Sequence, residues 1–189
     1  MDNIKRTLDK YEAGMIEVVN KLEILNKDYE KRYNYVLMEH IKSRLKTTSS
    51  IKQKLINDNY TYNVENLDKI NDIAGVRVVV AFEKDIYIVR QLIMQIPNLV
   101  IIKEKDFVEN PKENGYESFH MIVKIPVALS NGVEFITVEI QIRTLLMDVW
   151  ASIHHKLVYK KENTKLEDVF IDYSNQLMSL DEQLNSLKS

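Results

Sequence analysis

Residues 71–82, NDIAGVRVVVAF, leave the backbone little choice: the β-branched run Val78, Val79 and Val80 calls for a strand over about 73–82. Asp72 stands at its mouth, and Gly75 and Arg77 lie along it. A second strand, VEIQIR at 138–143, carries a matching carboxylate, Glu139. Because side chains alternate across a strand, Glu139, Gln141 and Arg143 share one face, while Val138, Ile140 and Ile142 share the other. If the two strands lie close in one sheet, Asp72 and Glu139 converge on a hard cation, and Arg77 and Arg143 supply positive charge to phosphates. Phosphoryl transfer needs that combination.

The rest of the chain supplies an α/β framework. From Ile4, apolar positions Leu8, Tyr11, Met15, Val18, Leu22, Leu25 and Tyr29 recur at four and three, an amphipathic helix that either packs on its own domain or meets another subunit. Between 40 and 55 the chain is basic, with Lys42, Arg44, Lys46, Lys52 and Lys54. Such a run is a solvated face or an anion site. Thr47 to Ser50 interrupt the helical pattern and offer an N-cap for a following helix, whose free amides suit a phosphate surrounded by Arg44, Lys46, Ser50 and Lys54. A helical turn is expected around 64–70, a helix over 83–96 and a strand over 99–108; strand, helix, strand indicates an α/β domain.

The loop ENPKENGY, 109–116, contains the turn signals Asn110-Pro111 and Asn114-Gly115. It is a plain connection or a pocket wall. Lys112, Tyr116, Ser118 and His120 bring a cation, an aromatic face, a hydroxyl and an imidazole together, with Tyr116, Ser118 and His120 expected on one strand face. A strand over 117–129 then turns through Asn131-Gly132 into an antiparallel hairpin with residues 133–143. The next helix should pack through Leu146, Val149, Trp150, Ile153 and Leu157, with Asp148 and Ala151 reaching the pocket. A last helix repeats Leu166, Phe170, Tyr173, Leu177, Leu180, Leu184 and Leu187. Two heptad stripes offer more apolar surface than one small domain needs, which predicts a homo-oligomer.

Composition narrows the chemistry. A chain of 189 residues with 45% hydrophobic content suits one core, and a net charge of −2 gives no bulk attraction to nucleic acid or membrane. Without cysteine there is no disulfide or zinc–thiolate site. No apolar run approaches a membrane span or signal peptide, so a cytoplasmic location without membrane attachment is expected. The P-loop, dinucleotide and zinc-protease motifs are missing, leaving two carboxylates among many cations, the makings of metal-assisted chemistry on a phosphate ester.

KSRLK with Ser50 and Lys54, DIAGVRVV, NPKENGYESFH, VEIQIRT and MDVWASIHHKLVYK together resemble the synthetase domain of the RelA/SpoT family, most closely its stand-alone members, the small alarmone synthetases. The resemblance covers about residues 40–160. It implies an α/β (α+β) fold: a nucleotidyltransferase-like mixed sheet flanked by helices, with long N- and C-terminal helices. Residues 1–189 then form a single synthetase domain: an N-terminal helical extension (1–39), a catalytic core (40–160) and a C-terminal oligomerisation helix (161–189). The implied reaction moves the β,γ-pyrophosphate of ATP to the ribose 3′-OH of GTP, GDP or GMP. Asp72 and Glu139 would hold Mg²⁺, with Glu139 helping to deprotonate the hydroxyl. Arg44 and Arg77 would clasp adenine, and Lys46, Ser50 and Lys54 the ATP phosphates. Tyr116 would stack on guanine, with Lys105, Lys112 and His120 near its phosphates and Asn114, Gln141, Asp148 and Ala151 completing the pocket.

Implied partners are ATP, guanine nucleotides, further copies of the chain (a tetramer), and single-stranded RNA as a candidate regulator. His154 stands where the family usually has Glu, which touches the surroundings of the acceptor pocket and not the metal pair. The chain contains no His-Asp dipeptide and too short an N-terminal region for the family's hydrolase domain, so synthesis without hydrolysis is expected. The rival of another class is a catalytically silent nucleotide- or RNA-binding regulatory module. A pure binder, however, has no use for two carboxylates that repel phosphate.

Overall fold

The structure, a computed structural model, describes residues 2–158 and 166–187. In chain order the elements are helix α1 (Asp2–Tyr33), strand β1 (His40–Leu45), helix α2 (Thr48–Asn57), a single 3₁₀ turn (Leu67–Lys69), β2 (Ala74–Val80), α3 (Glu83–Met94), β3 (Val100–Asp106), β4 (Phe119–Leu129), β5 (Gly132–Thr144), α4 (Leu145–Leu157) and α5 (Glu167–Leu187). The strands form one mixed sheet in the order β1-β2-β5-β4-β3. β2 and β5 run parallel at its centre, and the other neighbours are antiparallel. The two carboxylate-bearing strands are therefore adjacent, with Gly75 opposite Glu139.

Alternation along β5 divides the molecule. Val138, Ile140 and Ile142 are fully buried beneath α1 and α3, together with Val76, Val78 and Val80 of β2. Tyr11, Met15, Val18 and Leu22 of α1 fill this layer, so the N-terminal stripe is consumed within its own chain. Asn34, at φ 50°, ends α1 in the left-handed conformation that asparagine tolerates. Gly14 lets α1 approach the sheet: a Cβ there would sit 2.6 Å from Ile136 Cγ2. Gly14→Ala should therefore destabilise the protein by about 1–3 kcal/mol despite alanine's better helix propensity, measurable by urea unfolding.

The opposite face carries α4 and α5. Trp150, Ala151, Val158 and Phe170 form a second, smaller cluster there, and Trp150 Nε1 donates to the Phe170 carbonyl at 2.9 Å. Several expectations need correction. Residues 40–45 continue no helix: they pair with β2 as an edge strand, a role that their basic composition obscures. α4 is rotated from the expected face, burying Met147, Trp150 and Ala151 while Val149, Ile153 and Leu157 are exposed. Its capping by Thr144 sets that rotation at the end of β5, before the apolar periodicity can. In α5, Phe170, Ser174 and Asp181 face inward, and Tyr173, Leu180, Leu184 and Leu187 are left on the surface. No helix among the described residues is long and apolar enough to cross a membrane.

Candidate active site

Asp72 lies three residues ahead of Gly75, where the chain enters β2. The backbone N–H of Lys46 donates to the Ile73 carbonyl at 2.8 Å, tying the end of β1 to this entry. Thr47 then caps α2 by accepting from Ser50 N at 3.3 Å. The result brings Lys46 Nζ within 2.6 Å of Asp72 Oδ2 and Lys54 Nζ within 2.8 Å of Oδ1. Burial works against the charged carboxylate, but the two lysine hydrogen bonds outweigh it and hold its pKa below the usual range.

Glu139 projects from the polar face of β5. Its Oε2 accepts from Gln141 Nε2 at 2.8 Å, and Oε1 lies 3.4 Å from His120 Nδ1. Burial again opposes ionisation; His120 and Gln141 overcome both that and the repulsion from nearby Asp72, so Glu139 also ionises below its ordinary value. Two half-buried carboxylates, both charged at neutral pH, face one cleft.

From Glu139 a chain of contacts runs through His120 and Tyr116 to Arg143. His120 Nε2 lies 2.8 Å from the Tyr116 hydroxyl, which accepts from Arg143 Nη2 at 2.7 Å. A guanidinium only donates, so the Tyr116 proton is free for His120 Nε2, which directs the Nδ1 proton toward Glu139. Arg143, 4% exposed, also donates to Gln141 at 2.9 Å, to Asp148 at 3.3 Å and to Ser118 at 3.4 Å. Asp148 takes a second cation, Arg77, at 2.9 Å. Burial, then the neighbouring Arg143, lower the Arg77 pKa, although Asp148 pulls the other way.

These groups surround a cleft of about 700 Å³. Its lining includes Arg44, Asp72, Arg77, Lys112, Asn114, Tyr116, Glu139, Gln141 and Ala151. Cationic side chains and both carboxylates thus line one cleft.

The family profile described as "Region found in RelA / SpoT proteins" matches residues 43–164, the segment that builds this cleft. The chain belongs to the RelA/SpoT family. Within that family it is 37% identical to GTP pyrophosphokinase YwaC of Bacillus subtilis over 192 aligned residues, covering all of this chain and 91% of that protein. GTP pyrophosphokinase YjbM of the same organism is 30% identical, over 97% of this chain and 88% of its own length. Among solved structures, the small alarmone synthetase 1 of B. subtilis bound to its product pppGpp superposes with a TM-score of 0.91 at 29% identity, covering 100% of this chain and 97% of that one.

Against the family motifs, most expected residues stand at the cleft or touch its walls. Lys46 and Lys54 reach Asp72; His120 reaches Tyr116 and Glu139; Asp148 reaches Arg77 and Arg143. Ser50, in the first turn of α2, contacts the Thr47 hydroxyl at 2.8 Å and stands off the walls, as does exposed Lys105. Arg143 is not a phosphate cation in waiting, because each of its three nitrogens already serves an acceptor. β4 begins only at Phe119, so Tyr116 and Ser118 precede the strand; Ser118 turns inward and donates to the Ile142 carbonyl at 3.2 Å. Asn114 shapes the loop by accepting from Tyr116 N at 3.2 Å.

Trp150, expected in the core alone, also lines the cleft, as do Lys42, expected only as part of the basic run, and His155 and Lys156, to which sequence reasoning assigned no role. His154 stacks on Trp150 at 4.6 Å and 15°, and burial lowers its pKa.

Glu117, beside Tyr116 and 9% exposed, turns away from the cleft towards α5, and its Oε1 has no hydrogen-bond partner. Burial, then the charges of Asp181, Glu83 and Glu182, push its pKa up to about 7. A raised acid pKa means the unfolded chain ionises first, so Glu117 costs stability as pH climbs from its ordinary 4.5 to about 7. Glu117→Gln should therefore stabilise the protein by about 1–2 kcal/mol at pH 8 and by much less at pH 5. Thermal melts at both pH values check the sign.

Proposed function

We propose that the protein is an alarmone synthetase that transfers the β,γ-pyrophosphate of ATP to the ribose 3′-oxygen of GTP or GDP, with GMP as a third candidate acceptor, releasing AMP. The observation that carries the reading is the pair Asp72 and Glu139, both charged though half buried, lining one cleft with Arg44, Arg77 and Lys112. The named relatives are GTP pyrophosphokinases, and a related structure holds pppGpp, the product class this chemistry gives.

In the reaction the acceptor 3′-oxygen attacks the β-phosphorus, the bond from that phosphorus to the oxygen bridging the α-phosphate breaks, and AMP leaves with that oxygen. Glu139 takes the hydroxyl proton. His120, hydrogen-bonded to Tyr116, orients the Glu139 carboxylate through its Nδ1 side. Arg44 and Arg77 sandwich adenine, while Lys46, Ser50 and Lys54 hold the donor phosphates. Both lysines rest on Asp72 and transfer to phosphate when ATP arrives. Tyr116 stacks on guanine, and Lys105, Lys112 and His120 meet the acceptor phosphates, with Asn114, Gln141, Asp148 and Ala151 around the base.

The carboxylates fit Mg²⁺, a hard cation that takes one or two carboxylates and completes its shell with water and substrate phosphates. Bound there, the metal would neutralise charge developing on the transferred phosphates. The exposed apolar stripe of α5, Tyr173, Leu180, Leu184 and Leu187, supports assembly into a homo-oligomer, a tetramer by resemblance.

The test is AMP release from ATP by the purified protein. The reading requires a guanine nucleotide acceptor and a divalent cation, with release abolished by a chelator and restored by Mg²⁺. Nucleotide binding without AMP release under any of these conditions would instead make the protein a sensing module.

A further inference from the structure

Phe107 packs beside Tyr116 and His120, and neither the motifs nor the proposed reaction has a use for it. It follows β3 directly, and its placement is built: Asp106 Oδ1 accepts from Val108 N at 2.9 Å and Glu109 N at 3.0 Å, turning the chain, while Phe107 N donates to the Ser118 carbonyl at 3.0 Å. Tyr87 secures the turn by donating to Asp106 Oδ2 at 3.1 Å. The ring belongs to neither buried hydrophobic cluster. It makes edge contacts with Tyr116 (6.1 Å, 69°) and His120 (5.3 Å, 89°). Two ammonium groups lie over it, Lys112 Nζ at 4.8 Å and Lys105 Nζ at 5.7 Å from the centroid. Lys112 Nζ is also 4.8 Å from the Tyr116 centroid, so one cation is gripped between two rings.

We infer that Phe107 is a positioning residue for the acceptor nucleotide: its ring collects Lys105 and Lys112 into one cationic pair for the 5′-phosphates of a guanine nucleotide and braces Tyr116 and His120. Lysine is a flexible point charge, and an exposed ammonium samples many rotamers. A quadrupolar ring face holds it in place without neutralising it, leaving its full charge for phosphate. An acidic partner would hold the lysines equally well but would repel the ligand. Because Lys112 lies over Tyr116, a guanine stacking on Tyr116 displaces it, and Phe107 is the ring that then retains it beside the phosphates. Phe107 stands off the cleft walls, so it reaches them through Lys112 and Tyr116, which line them.

The inference rests on the acceptor-site reading above and is tested by binding, which needs no turnover. Calorimetry would give Kd for GDP and for a non-hydrolysable ATP analogue with wild type, Phe107→Leu, Phe107→Tyr, Lys112→Met and the Phe107→Leu/Lys112→Met double variant. Phe107→Leu should weaken GDP by about three- to tenfold, the worth of a cation–π contact at a partly exposed site. ATP-analogue affinity should stay within twofold, Phe107→Tyr should restore GDP binding, and the leucine penalty should shrink in the Lys112→Met background. Phe107→Met replaces the leucine variant if that one fails to fold. Equal weakening of both nucleotides, unchanged GDP affinity, or a tyrosine variant no better than leucine would overturn it. AMP release by wild type separately tests the transfer reaction.

Discussion

Glu139→Gln is expected to lower alarmone synthesis at least ~10³-fold, combining loss of the proposed general base, typically 10²–10⁴, with loss of the proposed metal ligand. The amide keeps the size of the side chain and can still meet Gln141, so the fold should survive with a melting temperature within a few degrees of wild type. What vanishes is a negative charge that the site maintains deliberately: burial disfavours it and Asp72 repels it, yet His120 and Gln141 hold its pKa below normal. A side chain kept ionised against both penalties is suited to accept a proton or bind a cation. The assay is AMP formation at saturating ATP and GDP beside a melting curve. Turnover within tenfold of wild type would remove Glu139 from the chemistry.

Arg143→Met should damage both stability and activity, with a cost of about 3 kcal/mol in unfolding free energy, at the lower end for breaking a buried charge network. The side chain is 4% exposed and holds Tyr116, Gln141, Asp148 and Ser118 at once. Its removal leaves the Tyr116 hydroxyl without that donor and Asp148 with Arg77. That remaining pair is why the cost stays at the lower end. Tyr116 loses its fixed orientation, so acceptor KM should rise with the stability loss. A double-mutant cycle with Asp148→Asn by urea unfolding checks the coupling; a loss below about 1 kcal/mol would show that the network is solvated and weak.

The contrast between these variants reflects what could be read from the sequence. The alternation in VEIQIR separated the core face from the polar face, because a period of two is rigid and each inward residue is apolar. The adjacency of β2 and β5 is not legible in either strand alone, since register and neighbours are set by the whole sheet. Residues 40–45 escaped recognition as a strand because an edge strand with solvent-facing lysines and arginine lacks the apolar signal of β2. On α4, three of the five expected core positions proved exposed: Val149, Ile153 and Leu157. That helix packs across the sheet's polar face and against α5, where Met147 and Ala151 fit the close approach. Arg143 was read as a free cation because sequence shows charge and not acceptors. Phe107 carried no signal beyond its place after a strand; its meaning came from two lysines and two rings that only the fold assembles.

The most direct test of pyrophosphate transfer is to follow ATP labelled at the β-phosphate in the presence of Mg²⁺ and GDP. The label should appear in a guanosine tetraphosphate with one AMP formed per product molecule. Label released as ADP, or as free pyrophosphate without entering a guanosine product, would contradict it.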